Sequence, residues 1–178
     1  MAAAKLAAQA HGYNGLNFRD LAEVVGIKAA SIYHHFPSKA ILAEAVAKRY
    51  WEDHAAALEA LLQKSSSPTI ALRRYPETFR WALENENRMC LSSYMAAEFD
   101  DLAEEVRKEV QSFADVNVAW LSKVLSATNA VSGKQVEPRA RAIYAAVAGA
   151  QLLARSRSDV ALYDAVIKSY RAVGLIPE

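Results

Sequence analysis

Apolar residues recur along the chain at three- and four-residue intervals, and no stretch alternates strictly between apolar and polar. This pattern predicts an all-α protein of about nine helices. A short first helix covers Ala2 to His11 and stops at Gly12. Asn17 can cap the second, with Asp20 three residues on; that helix turns Phe18, Leu21, Ala22 and Val25 inward and stops at Gly26. A third runs from Ala29 to His35 and yields to Pro37, because a proline drives the residue before it out of helical backbone. Ser38 caps a long fourth helix over Lys39 to Gln63, which ends in the polar run Lys64-Ser65-Ser66-Ser67-Pro68. Further helices are expected over 69–86, 89–97, 101–126, 138–156 and 159–173. A polar loop is expected over 126–137, with Pro138 opening the helix after it, Ser158 capping the last helix and Gly174 stopping it.

Composition narrows the class. Of 178 residues 53% are hydrophobic, enough for a core, and only six glycines and five prolines interrupt them. The longest apolar run, Ala142 to Ala154, is interrupted by Gln151 and falls short of the ~20 residues a membrane span needs. Lys5 and Gln9 break any signal-peptide core at the start. A soluble, cytoplasmic protein without a membrane partner is expected. Cys90, the single cysteine, leaves no intramolecular disulfide. The net charge of +1 is unevenly spread: Lys5, Arg19, Lys28, Lys39, Lys48 and Arg49 outweigh Asp20, Glu23 and Glu44 in residues 1–50, while the remainder is mildly acidic. A basic head on an acidic body suits a polyanion partner.

The sharpest local pattern lies within that head, from Phe18 to Phe36. Two short helices meet at Gly26, which can take the positive φ of a sharp turn. Ala22 is small where the helices approach, Ile27 fills the turn, and Ile32 and Phe36 point inward at i, i+4 spacing. Lys28, Ala30, Ser31, Tyr33, His34 and His35 are left facing out. A helix presented this way fits the major groove of DNA.

The pattern continues through Pro37, Ser38 and Lys39, and the whole stretch resembles the head of TetR-family repressors. That family carries a Gly-Tyr before the motif (Gly12-Tyr13), a Leu-Ala pair in its first helix (Leu21-Ala22) and a Tyr-x-x-Phe-x-x-Lys run closing it (Tyr33 to Lys39). The resemblance implies a helix-turn-helix DNA-binding domain over 1–45 and a helical regulatory and dimerisation domain over 46–178. It implies a homodimeric repressor on a palindromic double-stranded operator, released by a small-molecule or electrophile inducer. Tyr33 and Lys39 then contact phosphates. By their chemistry Ser31 and His34 are candidates for base edges and Ala29 and Ala30 for thymine methyls, with Lys28 and His35 completing the face. Lys28 stands where the family usually has a small capping hydroxyl, and Ala29 where a basic residue is frequent, so an unusual sequence preference is expected. Family members usually have more residues before Ala3. Either the start lies upstream, or the head has fewer phosphate contacts, and the alternative is a helical ligand-binding dimer with weak or lost DNA binding.

In the body, Arg88-Met89-Cys90-Leu91 followed by Ala97-Glu98 resembles a TetR subgroup with a Gly-Cys-Leu motif, some members of which sense electrophiles through the cysteine. Cys90 matches that position, with Arg88 nearby to favour a thiolate; Met89 replaces the glycine, and Arg155 stands where the best sensors have a lysine. The other reading of Cys90 is a small core residue. Candidate ligand contacts are Phe79, Leu83, Tyr94, Met95, Phe99, Phe113, Trp120 and Tyr144, residue types that serve pockets and cores alike. By the resemblance, Ala142, Ala145, Ala146, Ala148, Gly149, Leu152 and Leu153, with Leu162, Val166, Ile167 and Tyr170, form the dimer interface. An enzyme is not expected. His11, His34, His35 and His54 lack metal-ligand spacing, no glycine-rich phosphate loop or nucleophile elbow occurs, and no cofactor or metal is implied.

Overall fold

A computed structural model describes every residue except Asn129, Ala130 and Ser132. The described residues form α-helices and no strand: α1 (Ala2–His11), α2 (Phe18–Val25), α3 (Ala29–His35), α4 (Lys39–Lys64), α5 (Pro68–Arg74), α6 (Glu77–Glu84), α7 (Leu91–Ala97), α8 (Glu104–Thr128), α9 (Val136–Ser156) and α10 (Val160–Ala172). Every stretch expected to be helical holds a helix. The stretch 69–86, expected as one helix, is parted at Tyr75-Pro76 into α5 and α6, because Pro76 has no amide hydrogen to continue the ladder. Of the loop expected over 126–137, residues 129, 130 and 132 lie outside the described residues; α8 runs on to Thr128 and α9 begins at Val136. Pro138 thus sits in the first turn of α9, where amides have no helical partner in any case. The last helix is capped by Asp159, which accepts the Leu162 amide at 3.1 Å. Ser158, the expected cap, is left-handed at φ 51°.

The helices pack as two compact units. One comprises Met1–Asp53 with Cys90–Phe113, the other His54–Met89 with Ala114–Glu178. In the first, Ala4, Ala8, Leu16, Phe18 and Leu21 are buried against Leu42, Ala43, Val46 and Ala47 of α4, with Leu91, Met95, Leu102, Val106 and Val110 completing the cluster. Trp51 Nε1–H donates to Glu109 at 2.6 Å, tying α4 to α8 within this unit. Asn17 caps α2 by accepting the Arg19 amide at 2.9 Å, and Ser38 caps α4 by accepting the Ile41 amide at 3.2 Å. Gly26 ends α2 in left-handed backbone (φ 75°, ψ 32°). Val25, expected inward, and Ile27, expected to fill the turn, are 52% and 46% exposed. The two side chains edge a shallow apolar cleft with Met1, Ala3, Leu21 and Leu42, at the open margin of the cluster.

In the second unit Tyr75, Phe79, Leu121, Ile143 and Tyr163 are fully or almost fully buried. Tyr163 OH donates to the Pro76 carbonyl at 2.7 Å and Gln151 Nε2 to the Phe79 carbonyl at 2.6 Å, so the break at Pro76 is bound by α9 and α10. The inner face of α9 is Ala140, Ile143, Val147, Ala150 and Ala154. Its outer face exposes Ala142, Ala145, Gly149, Leu152 and Leu153. Ile167, expected at a dimer interface, is buried within the unit.

A Cβ added at Gly26 meets open space, so the cost of a side chain there lies in the backbone alone. Gly26→Ala is expected to lower stability by about 1 kcal/mol, and Gly26→Asn by less, since asparagine tolerates left-handed backbone. Urea denaturation of the intact chain measures both.

Candidate nucleic-acid interface and effector-binding residues

Gly26 sets the direction of α3 relative to α2. Its amide and that of Ile27 donate to the carbonyls of Glu23 and Ala22 at 3.1 and 3.0 Å, closing the turn tightly. Helix α3 then presents Lys28, Ala30, Ser31, Tyr33, His34 and His35 as exposed residues, with Ala29 and Lys39 half-buried, while Ile32 and Phe36 pack on the buried cluster. Lys28 occupies the N-cap in extended backbone and offers no side-chain cap. Tyr33 is held without being hidden: its ring lies 4.4 Å from that of Phe18 and stays 55% exposed. The His34 and His35 rings meet edge-on at 5.3 Å. Lys39 opens α4 with Nζ 4.3 Å above the Tyr13 ring centroid, a cation–π contact that fixes the ammonium beside the motif. The Tyr13 amide, in turn, donates to Glu98 Oε2 at 2.6 Å. Glu98 has no part in the DNA face as read from sequence; it lies 85 residues from its partner, and only the Gly12-Tyr13 and Ala97-Glu98 pairs marked the two ends.

The eight candidate ligand contacts divide between the units. Phe79, Leu83, Trp120 and Tyr144 belong to the second. Tyr75, not singled out in the sequence, joins them: its ring stacks on Trp120 at 5.8 Å and tilts against Phe79 at 5.8 Å, and Phe79 lies 6.3 Å from Tyr144. Three polar groups sit among these rings. Asn117 Oδ1 accepts the Tyr75 hydroxyl at 2.7 Å and faces His54 Nε2 at 2.9 Å. A carbonyl oxygen only accepts, so His54 carries its proton on Nε2. Burial lowers the His54 pKa, partly offset by the bond to Asn117. Trp120 Nε1–H is buried and has no hydrogen-bond partner among the described residues.

The other four belong to the first unit. Met95 is in the buried cluster beneath the head. Phe113 stacks on Tyr50 at 5.3 Å, Phe99 is 40% exposed under the Arg107 guanidinium, and Tyr94 lies beside Gly12. Cys90 is 2% exposed. Burial pushes its thiol up, and the hydrogen bonds of Ser93 and Tyr50 only partly oppose this. Arg88, expected to favour the thiolate, is paired with Glu86. Arg155 donates to the Asn87 carbonyl at 3.1 Å. Among the described residues no group of three His, Cys, Asp or Glu side chains is placed to hold a metal, and no helix is long and apolar enough to cross a membrane.

The family model described as bacterial regulatory proteins, tetR family, matches residues 1–46. The crystal structure of a TetR transcriptional regulator from Legionella pneumophila superposes with a TM-score of 0.89 at 30% identity, covering 97% of this chain and 93% of that one. The chain belongs to the TetR family of transcriptional regulators. A TetR-family regulator from Agrobacterium tumefaciens superposes equally well, with a TM-score of 0.89 at 29% identity over 97% of this chain and 93% of its own. A helix-turn-helix-type transcriptional regulator from the lacX 3′ region of Lactococcus lactis is 26% identical over 176 residues, 92% of this chain and 87% of that protein. In this TetR-family chain residues 18–36 are thus the helix-turn-helix of the family's DNA-binding domain.

The half-buried His54 has a consequence for stability. Its folded pKa lies below the ordinary 6.5, so as pH falls through 6.5 the unfolded chain takes up a proton before the folded one. Stability present above that pH is lost below it, with a slope approaching ~1.4 kcal/mol per pH unit for one proton. His54→Gln is expected to flatten this part of the profile. Urea midpoints between about pH 7.5 and 5 read the slope, whatever the offset in absolute stability.

Proposed function

We propose that this TetR-family regulator is a homodimeric repressor working in the cytoplasm, in which residues 1–45 grip a palindromic operator and residues 46–178 dimerise and receive a small-molecule inducer. The observation that carries it is the α2–α3 pair set at Gly26, with Lys28, Ala30, Ser31, Tyr33, His34 and His35 exposed around a half-buried Ile32–Phe36 edge that packs on the cluster. Tyr33 and Lys39 hold phosphates, Ser31 and His34 read base edges, and Ala29 and Ala30 meet thymine methyls, with Lys28 and His35 flanking them. A helix of seven residues reads too few bases alone. Two copies about 34–36 Å apart read successive major grooves. The exposed Ala142, Ala145, Gly149, Leu152 and Leu153 on α9 support a close helix-to-helix interface between copies.

The inducer site draws on Phe79, Leu83, Trp120 and Tyr144 with Tyr75, and Asn117 and His54 favour a flat apolar molecule with a polar group. To release DNA it must bind the mismatched spacing of the dimer more tightly than the matched one. Release through Cys90 is the weaker branch, because a buried thiol with a raised pKa holds little thiolate at neutral pH.

Gel shift against the promoter upstream of the protein's own coding region, at several salt concentrations, tests the reading. Binding well above that to random DNA is expected; equal binding to both leaves a ligand-binding dimer without operator function. His34→Ala is expected to cost about 1–3 kcal/mol and to relax preference at one base position in each half-site. Cys90→Ser is expected to leave release by a reversible ligand unchanged; loss of release by an electrophile in that variant restores the thiol branch.

A further inference from the structure

Glu98 closes α7, its amide donating to the Met95 carbonyl at 3.0 Å. Its side chain accepts the Tyr13 amide at 2.6 Å, and no ion pair with Glu98 occurs among the described residues. Tyr13 begins the turn between α1 and α2. Its ring is the platform for Lys39, the residue assigned to a phosphate. Gly12 beside it is shaped to this contact: a Cβ there would overlap the Glu98 carboxylate and come within 2.6 Å of the Tyr94 ring. A carboxylate near a DNA-binding face repels phosphate, so its placement here needs a return. A hydrogen bond to an ionised acceptor is among the stronger kinds, and it fixes the Tyr13 backbone and with it the ring under Lys39.

We propose that Glu98 is a positioning residue for DNA binding: through the Tyr13 amide it holds the Tyr13–Lys39 pair in place, and α7 thereby controls a phosphate contact of the head. The inference rests on Lys39 touching a phosphate. Two signs separate positioning from plain electrostatics and plain stability. Removing a negative charge near DNA by itself strengthens binding; removing the positioning bond weakens it. Partial unfolding lowers the active fraction yet leaves the salt dependence of the remaining molecules alone. Giving up one phosphate, by contrast, reduces the slope of log K against log salt by ~0.9.

The experiment measures operator affinity of the full-length protein by fluorescence anisotropy over a salt series for wild type, Glu98→Ala, Glu98→Gln, Lys39→Ala and the Glu98→Ala/Lys39→Ala double variant. Thermal melts of each record the folded fraction. Glu98→Ala is expected to bind about fivefold or more weakly at low salt, with the slope reduced by ~0.9 for each phosphate that Lys39 no longer neutralises. It is expected to add less than about twofold to the effect of Lys39→Ala. Glu98→Gln, whose amide oxygen still accepts the Tyr13 amide, is expected to restore the wild-type slope. A wild-type slope in Glu98→Ala, tighter binding by that variant, or effects of Glu98→Ala and Lys39→Ala that multiply, each overturns the positioning role. A wild-type slope in Lys39→Ala instead overturns the phosphate assignment on which the inference stands.

Discussion

The first three helices, of ten, eight and seven residues, make up the helix-turn-helix head with the start of α4, and helices shorter than about 12–15 residues are marginal by themselves. Their arrangement depends on burial against one stripe of α4. Leu42 and Val46 supply bulk there, while Ala43 and Ala47, both fully buried, are small enough for α1, α2 and the α7–α8 segment of the same unit to approach the helix backbone. The stripe leaves the outer side of α3 free to be polar, because Ile32 and Phe36 anchor that helix from beneath. Holding a short helix by two apolar residues at i, i+4 spacing is what leaves Ser31, Tyr33, His34 and His35 exposed.

The second unit solves a different problem. Pro76 interrupts a helix amid fully buried aromatic rings, where free backbone groups are costly. Side chains from α9 and α10 answer this break: Tyr163 reaches the Pro76 carbonyl and Gln151 that of Phe79. Asn117 does the same for side chains, taking the Tyr75 hydroxyl and facing His54. These bonds let a largely apolar unit carry polar groups among its rings, and they set the tautomer of His54. The orphaned Trp120 Nε1–H is the exception in this ring cluster.

Features set by nearest neighbours were legible in the sequence. Asn17 and Ser38 as caps, Gly26 as a left-handed stop and Pro37 as a breaker act over a few residues, and each does what its chemistry dictates. Where two residues of equal capping chemistry adjoin, local rules do not choose: Ser158 is engaged by the Asn87 side chain, and Asp159 takes the cap. Pro76 was visible, but apolar spacing on both sides of it mimicked one continuous helix. Val25 and Ile27 matched an apolar pattern, yet they line an open cleft at the margin of the cluster. Tyr75, His54 and Asn117 read as ordinary helix positions because their partners lie 42 and 63 residues apart in the chain. The exposed side of α3 was legible for a related reason: it follows from the period of Ile32 and Phe36, whereas a pocket and a core share one vocabulary of side chains.

Gly12 shows how a family motif can hide its cause. A Gly-Tyr pair before a helix reads as a turn, and the positive φ of 63° at Gly12 satisfies that reading. Yet a left-handed turn tolerates asparagine as well as glycine, so φ by itself does not demand the absence of a side chain. The ψ of −152° removes that latitude, since this combination lies outside the left-handed helical well. The space confirms it from the other side: Tyr94 and Glu98 already fill the place of a Cβ. Backbone and packing therefore impose the same residue at one position, and the packing partner is a helix more than eighty residues further along the chain. A substitution at Gly12 would strain the turn and displace the Glu98 carboxylate together, which is why the contact is better probed from Glu98.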